Sequence, residues 1–132
     1  LVPKFELNDT LKLIHQVKPT LMPGVPTLFN AILNHRKIKS YDLTSLKFCM
    51  SGGAALPVEV KRGFEALTGC KLVEGYGLSE TSPVASANPP DGPVKDGSIG
   101  MPLPATRISI RSLEDPTKEL KLGEDGEIGL RE

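Results

Sequence analysis

In the first half of the chain, apolar residues recur three or four positions apart in three stretches. They are Leu7, Leu11 and Ile14; Val25, Leu28, Phe29 and Ile32; and Val60, Phe64 and Leu67. This spacing puts each set on one face of a helix, so helices are predicted at about residues 9–17, 26–34 and 57–68. Asn8 or Asp9 is placed to cap the first helix, which ends before Pro19. Pro26 suits the first turn of the second and Pro57 opens the third, with Gly69 as its C-terminal stop. On the third helix Gly63 would permit close packing on a sheet. Glu59, Lys61, Arg62 and Glu65 would face water, with Lys61 and Glu65 spaced to pair.

Short apolar runs separate these helices. Thr20-Leu21-Met22 is a strand candidate cut off by Pro23-Gly24, and buried strands are predicted at about 46–50 and 71–73. Repeated strand–helix–strand units of this length imply parallel strands with right-handed crossovers, so the fold class is α/β. After Ser86 the helical period disappears. Asn88-Pro89-Pro90-Asp91-Gly92-Pro93 is loop-rich, and clean alternation at 107–111 and 127–131 predicts a small antiparallel β portion. The expected organisation is an α/β segment over 1–88 followed by the start of a β-rich subdomain over 89–132.

Bulk properties narrow the function. A chain of 132 residues is long enough for one hydrophobic core and short for two ordinary domains. Lys and Arg number 16, as do Asp and Glu, and no basic run occurs, so nothing points to a nucleic-acid surface or an electrostatic membrane patch. No apolar stretch reaches the length of a transmembrane helix, and no signal-peptide pattern is present. Leu1-Val2-Pro3 is not a natural start, and an internal piece of a longer cytoplasmic protein is expected. Cys49 and Cys70 are the only cysteines and read as free thiols in a reducing compartment. His15 and His35 complete a set too sparse for structural zinc, and both read as solvated surface.

Candidate chemistry concentrates in Val73-Glu74-Gly75-Tyr76-Gly77-Leu78-Ser79-Glu80. Two glycines let the backbone approach a flat ligand, and the tyrosine between them offers a ring face. Ser79 could donate to a phosphate oxygen, and Glu80 could hold the divalent cation that a phosphate requires. The plainer alternative is a tight strand-to-loop turn whose glycines serve geometry alone. Ser51-Gly52-Gly53-Ala54 also follows an apolar strand. It reads equally as a bare backbone wall beside a ligand or as a loop entering a helix. In open α/β sheets ligands sit beyond the carboxyl ends of the strands, which is where both segments should lie.

The order and spacing of SGGAALP (51–57), EGYGLSETSP (74–83), GSIGMPLP (97–104) and GEDGEIGLR (123–131) resemble the AMP-forming acyl-CoA synthetases, the acyl-adenylate-forming superfamily. The resemblance spans essentially the whole chain, including LVPKF (1–5). GVPTLFNAILNH and DLTSLKFCMSGGAALP are most similar to long-chain fatty acid CoA ligases. It implies a ligase that uses ATP, Mg2+ and coenzyme A to activate a fatty acid carboxylate, with peripheral membrane contact of the parent left open. By the same resemblance Gly52, Gly53, Ala54, Glu74, Gly75, Tyr76, Gly77 and Leu78 would form the adenine and acyl wall. Tyr76 would stack on the base, Ser79 would bind the AMP phosphate, and Glu80 would hold magnesium. Ser79 replaces the family's usual threonine, keeping the hydroxyl and losing the methyl that restricts its rotamer. Val25 and the Gly52-Gly53 edge would border the acyl tunnel.

In relatives the lysine-bearing triphosphate loop lies upstream, and the ribose-binding aspartate and catalytic lysine lie downstream. The 132-residue piece alone is therefore expected to be inactive. Glu132 stands where relatives continue Arg-Gly, and an added terminal residue would account for it. Two other readings remain open: an aryl- or amino-acid-adenylating relative, and a catalytically silent binding module of the same fold.

Overall fold

The computed structural model describes residues 5–131; the expectations about the two chain ends fall on 1–4 and 132, outside them. Helix α1 spans Leu7–Val17 and buries Leu11 and Ile14. Its N-cap is Glu6, and neither Asn8 nor Asp9 caps it. Both lie within the first turn, where Asn8 Oδ1 contacts His35 Nε2 at 2.8 Å and Asp9 faces Lys12 at 3.4 Å. Strand β1, Leu21–Gly24, runs through the Pro23-Gly24 pair expected to end it. It is the outermost strand of its sheet, so the N–H that proline lacks is not missed there.

Helix α2, Pro26–Leu33, has proline in its first turn and buries Phe29 and Ile32. Val25, placed by periodicity on the inner face, is instead the N-cap and is 47% exposed. Strand β2 is Phe48–Ser51 and helix α3 is Val58–Thr68, with Pro57 standing just before α3 as its N-cap. Gly69 closes α3 in the left-handed conformation (φ 73°), and its N–H donates to Glu65 O at 2.8 Å. Strand β3, Lys71–Tyr76, is longer than predicted and carries Glu74, Gly75 and Tyr76 within it. Short strands β4, Ser86–Ala87, and β5, Met101–Pro102, carry little sequence signal and were not expected. Strands β6, Arg107–Arg111, and β7, Glu127–Arg131, match the two alternating runs.

These strands make a five-stranded sheet in the order β1-β2-β3-β4-β5 and a separate β6-β7 ribbon. The β1-β2-β3 pairs are parallel, while β3-β4, β4-β5 and β6-β7 are antiparallel. The α/β class with a small antiparallel portion is therefore as expected. Strand β5 joins the first sheet although it lies past residue 88. No helix among the described residues is long and apolar enough to cross a membrane.

The core lies between the helices and one face of the parallel strands. Phe29 and Phe64 meet edge to face, with ring centroids 4.9 Å apart, over Leu46, Cys49 and Leu72. Gly63 faces α2 rather than the sheet: a Cβ there would come within 3.2 Å of Leu33 Cδ1. Lys61 and Glu65 do not pair, and neither is fully solvated. Lys61 Nζ reaches Asp96 at 2.5 Å, and Glu65 Oε1 accepts from the Leu72 N–H at 2.9 Å, tying α3 to β3. With Arg62 alongside at 3.2 Å, Lys61 holds the Asp96 carboxyl below the ordinary carboxylate range. Cys49 and Cys70 are free and buried, their sulfurs 3.7 Å apart; the sulfur–sulfur hydrogen bond and burial push the Cys49 thiol up.

Both histidines lie at the surface as expected, His15 exposed and His35 half-buried, and each ring is tied to the backbone. His15 Nδ1 accepts the Asp42 N–H at 2.9 Å, and His35 Nδ1 accepts the Lys37 N–H at 3.2 Å. Because the Phe29–Phe64 contact is fully buried, Phe64→Ala should remove about 3–5 kcal/mol of stability, measurable by urea denaturation. An unchanged midpoint would show that this aromatic pair is not the centre of the core.

Candidate functional site

Loop 52–57 and the end of β3 come together at the carboxyl edge of the parallel strands. Between them lies an open cleft of about 330 Å³. Gly52, Gly53, Gly75, Tyr76, Gly77, Leu78 and Ser79 all line it, so seven of the predicted site residues share one cavity. Pro23 and Gly24 at the end of β1, with Met50, Pro83 and Val84, complete its lining, and nothing in their sequence pattern marked them as site residues. Met50 alternates with buried Cys49 along β2 and so faces away from the helices. A Cβ on Gly75 would lie 3.3 Å from its sulfur.

Gly77 has a different reason to be glycine. A Cβ there would sit 1.8 Å from the Pro83 carbonyl oxygen, inside the backbone of the returning chain. That close approach folds 82–84 back over the end of β3, where the Ala85 N–H donates to Tyr76 O at 2.8 Å. Between them, Ser79–Thr81 forms a single 3₁₀ turn. Thr81 Oγ1 accepts the Leu78 N–H at 3.0 Å, and the Thr81 N–H returns to Leu78 O at 3.0 Å. Thr81 is thus a buried brace for the two residues proposed to meet phosphate and metal. Leu78 has no side-chain acceptor, so Leu78-Ser79-Glu80-Thr81 is not a capping-box sequence, and this brace had no signature in the sequence.

Three predicted site residues lie outside the cleft lining. Ala54 is exposed in loop 52–57. Glu74 alternates with Gly75 and shares the side of Leu72, which packs in the helix-covered core. Its Oε1 accepts the Leu56 N–H at 3.3 Å. Glu80 enters a neighbouring groove of about 360 Å³ with Leu78, Thr81, Ile128 and Leu130. Leu78 borders both hollows, and consecutive residues of the turn point Ser79 into one and Glu80 into the other. Among the described residues no three His, Cys, Asp or Glu side chains cluster as a metal site. A single carboxylate fits magnesium that is held mainly by phosphate oxygens and water.

A larger hollow of about 490 Å³ lies on the β6-β7 ribbon, bordered by Arg107, Arg111 and Arg131. Arg107 and Arg111 approach Glu119 at 3.4 and 3.8 Å, so two of these cations already face a carboxylate. The smaller cleft at the glycine-rich loops has the bare backbone walls and aromatic ring that a flat ligand needs.

Comparison with known proteins assigns the chain to a family. Residues 1–132 match the family described as AMP-binding enzyme, and the chain belongs to that family. It is 56% identical over 129 residues to a long-chain-fatty-acid–CoA ligase of Bacillus subtilis (strain 168), covering 97% of this chain and 23% of that protein. A ligase of the same name from Haemophilus influenzae is 36% identical, with 96% and 22% covered. The crystal structure of an anthranilate CoA ligase in complex with anthranoyl-AMP superimposes with a TM-score of 0.90 at 29% identity, over 99% of this chain and 25% of that one. A long-chain-fatty-acid-CoA ligase from Archaeoglobus fulgidus gives 0.81 at 26% identity, covering 96% and 27%. The chain thus spans less than a third of the length of these relatives.

Gly77 supplies a direct test of the site's construction. Gly77→Ala should cost at least about 1–3 kcal/mol, because the overlap is with backbone. Gly75→Ala, which meets mainly the flexible end of Met50, should cost less. Denaturant midpoints of the two variants check this order, and a more damaging Gly75→Ala would contradict it.

Proposed function

We propose that this chain is the central segment of an ATP-dependent, AMP-forming long-chain fatty acid CoA ligase. The single observation that carries the reading is the convergence of Gly52-Gly53 with Gly75-Tyr76-Gly77-Leu78-Ser79 on one cleft at the carboxyl ends of parallel strands. The similarity to long-chain ligases, at 56% identity, favours a fatty acid as substrate. The anthranilate CoA ligase, at 29%, supports the weaker alternative of an aryl acid.

In the proposed reaction a carboxylate attacks the α-phosphate of ATP, giving acyl-adenylate and pyrophosphate, and the coenzyme A thiolate then displaces AMP. The bare Gly52-Gly53 edge and Gly75 admit the base to the main chain, with Tyr76 against its face. Val25, whose Cγ1 would lie 3.6 Å from a Cβ on Gly53, borders the acyl side. Ser79 donates to the phosphate from the turn that Thr81 braces. Glu80 would hold magnesium, which when bound neutralises charge developing on the phosphates. Covalent chemistry falls little on these side chains; they contribute by positioning and charge stabilisation. Such groups act as a unit with the rest of a full-length ligase, so the 132-residue chain alone should give no pyrophosphate exchange above a blank.

In the full-length protein, Tyr76→Ala should raise the KM for ATP roughly tenfold, while Tyr76→Phe stays near wild type. Stacking on a base is worth roughly 1–3 kcal/mol and needs the ring rather than the hydroxyl. A phenylalanine variant as impaired as the alanine one would refute stacking.

Glu80→Gln keeps volume and deletes charge, and should lower the adenylation rate by roughly a hundred- to thousand-fold. Added magnesium should recover part of that loss. Pyrophosphate exchange against magnesium concentration, at saturating ATP and fatty acid, is the measurement. A normal rate with normal magnesium dependence would leave Glu80 an ordinary surface carboxylate.

A further inference from the structure

We propose that Cys49 and Cys70 form a modification site, a buried thiol pair that hydrogen peroxide converts reversibly into a disulfide. The bond bolts the turn between α3 and β3 to the middle of the sheet, whatever ligand the cleft takes. The two residues stand 21 positions apart in sequence, yet their sulfurs meet at 3.7 Å. A disulfide holds its sulfurs at about 2 Å, so closing the bond asks for a movement of less than about 2 Å.

The two ends differ in their freedom to make that movement. Cys49 is fully buried within β2, paired with Met22 of β1 on one side and Leu72 of β3 on the other. Cys70 follows the left-handed Gly69 and belongs to neither α3 nor β3. Its N–H donates to Thr68 Oγ1 at 3.2 Å, which orients it at the turn. A Cβ on Gly69 would meet nothing within 4 Å, and Cys70 is 4% exposed, so a reagent little larger than water approaches from this turn. The movement therefore falls on Cys70.

The two thiols also differ in acidity. The sulfur–sulfur hydrogen bond pulls the Cys70 thiol down to about 7, while that bond and burial push the Cys49 thiol up. Cys70 is thus the nucleophile. Its thiolate sulfur attacks one peroxide oxygen and the O–O bond breaks, leaving a sulfenic acid on Cys70. The hydroxide released takes up the proton that Cys70 had lost. The Cys49 sulfur then attacks the Cys70 sulfur: the S–S bond forms, the S–O bond breaks, and hydroxide leaves with the Cys49 proton as water. Two thiols are oxidised, one peroxide is reduced, and two waters form.

The test treats folded full-length protein with hydrogen peroxide, blocks the remaining thiols and digests with trypsin. Peptides 48–61 and 63–71 carry the two cysteines. They should be recovered joined, two hydrogens lighter than their sum, and should separate after dithiothreitol. In folded protein the joined product should exceed sulfinic acid at Cys70 by roughly tenfold or more, because the resolving thiol is already in place. That ratio should collapse in the urea-unfolded chain. Cys49→Ala should send Cys70 on to sulfinic acid, whereas Cys70→Ala should leave Cys49 unoxidised.

Thiols that both survive, in folded protein, a peroxide treatment that oxidises the unfolded chain would be an inert core pair and would overturn the proposal. So would a product ratio no higher in folded than in unfolded protein. Cys49 faces the helices and Met50 the cleft, so the crosslink lies on the opposite side of β2 from the ligand. Where the protein shows pyrophosphate exchange, oxidation should leave the KM for ATP within about twofold. A larger rise would overturn the assignment of the movement to Cys70. A protein without pyrophosphate exchange would reject the ligase reading, and the peptide products would still decide the thiol site.

Discussion

Strand β3 has different partners on its two sides, and the site depends on where those pairings stop. On one side it runs parallel to β2 as far as Glu74 opposite Ser51. On the other, Gly75 and Tyr76 pair antiparallel with Ala87 and Ser86, so β3 is held for two residues after β2 has left it. A cleft opens on the side that β2 vacates, while the opposite side stays hydrogen-bonded and rigid. Chain that would otherwise be a loose loop is thereby strand, and the ring of Tyr76 is carried on a fixed backbone.

Main chain rather than side-chain chemistry shapes the walls. Glycines at 52, 53, 75 and 77 leave the backbone bare, and at Gly77 the return of Pro83 leaves no room for any Cβ. A wall of this kind admits a flat heterocycle closely. The glycines carry an entropic cost, and the neighbouring anchors offset it. Thr81 closes the turn under Ser79, Asn88 pins the Glu74 carbonyl, and Lys61 with Arg62 holds Asp96 and the segment that follows it.

Glu65 serves construction by capping the Leu72 N–H. It satisfies a donor that burial would otherwise leave unpaired, which is worth more inside a protein than the same contact in water. Ser79 and Glu80, in contrast, are exposed on a braced turn and face two adjoining hollows. Exposure with fixed geometry suits groups that meet a ligand.

Periodicity determined the three helices and the β6-β7 pair, because a 3.6-residue or two-residue repeat of apolar side chains must bury one face, and the short apolar runs between the helices marked the parallel core strands. Local glycine and hydroxyl chemistry in 75–79 likewise marked the residues that line the cleft. Periodicity could not place β4 and β5, two residues each, since a run that short has no period and forms only where a neighbour offers unpaired donors and acceptors. Nor could it show that Pro23 lies in an edge strand, that Gly63 meets Leu33 of a neighbouring helix, or that Lys61 reaches Asp96 instead of Glu65. Those outcomes depend on partners far away in sequence. For Glu74 the predicted strand stopped at residue 73, and only the packed sheet showed that it pairs with Ser51 and that its side chain meets the Leu56 N–H, because those partners lie far away in sequence.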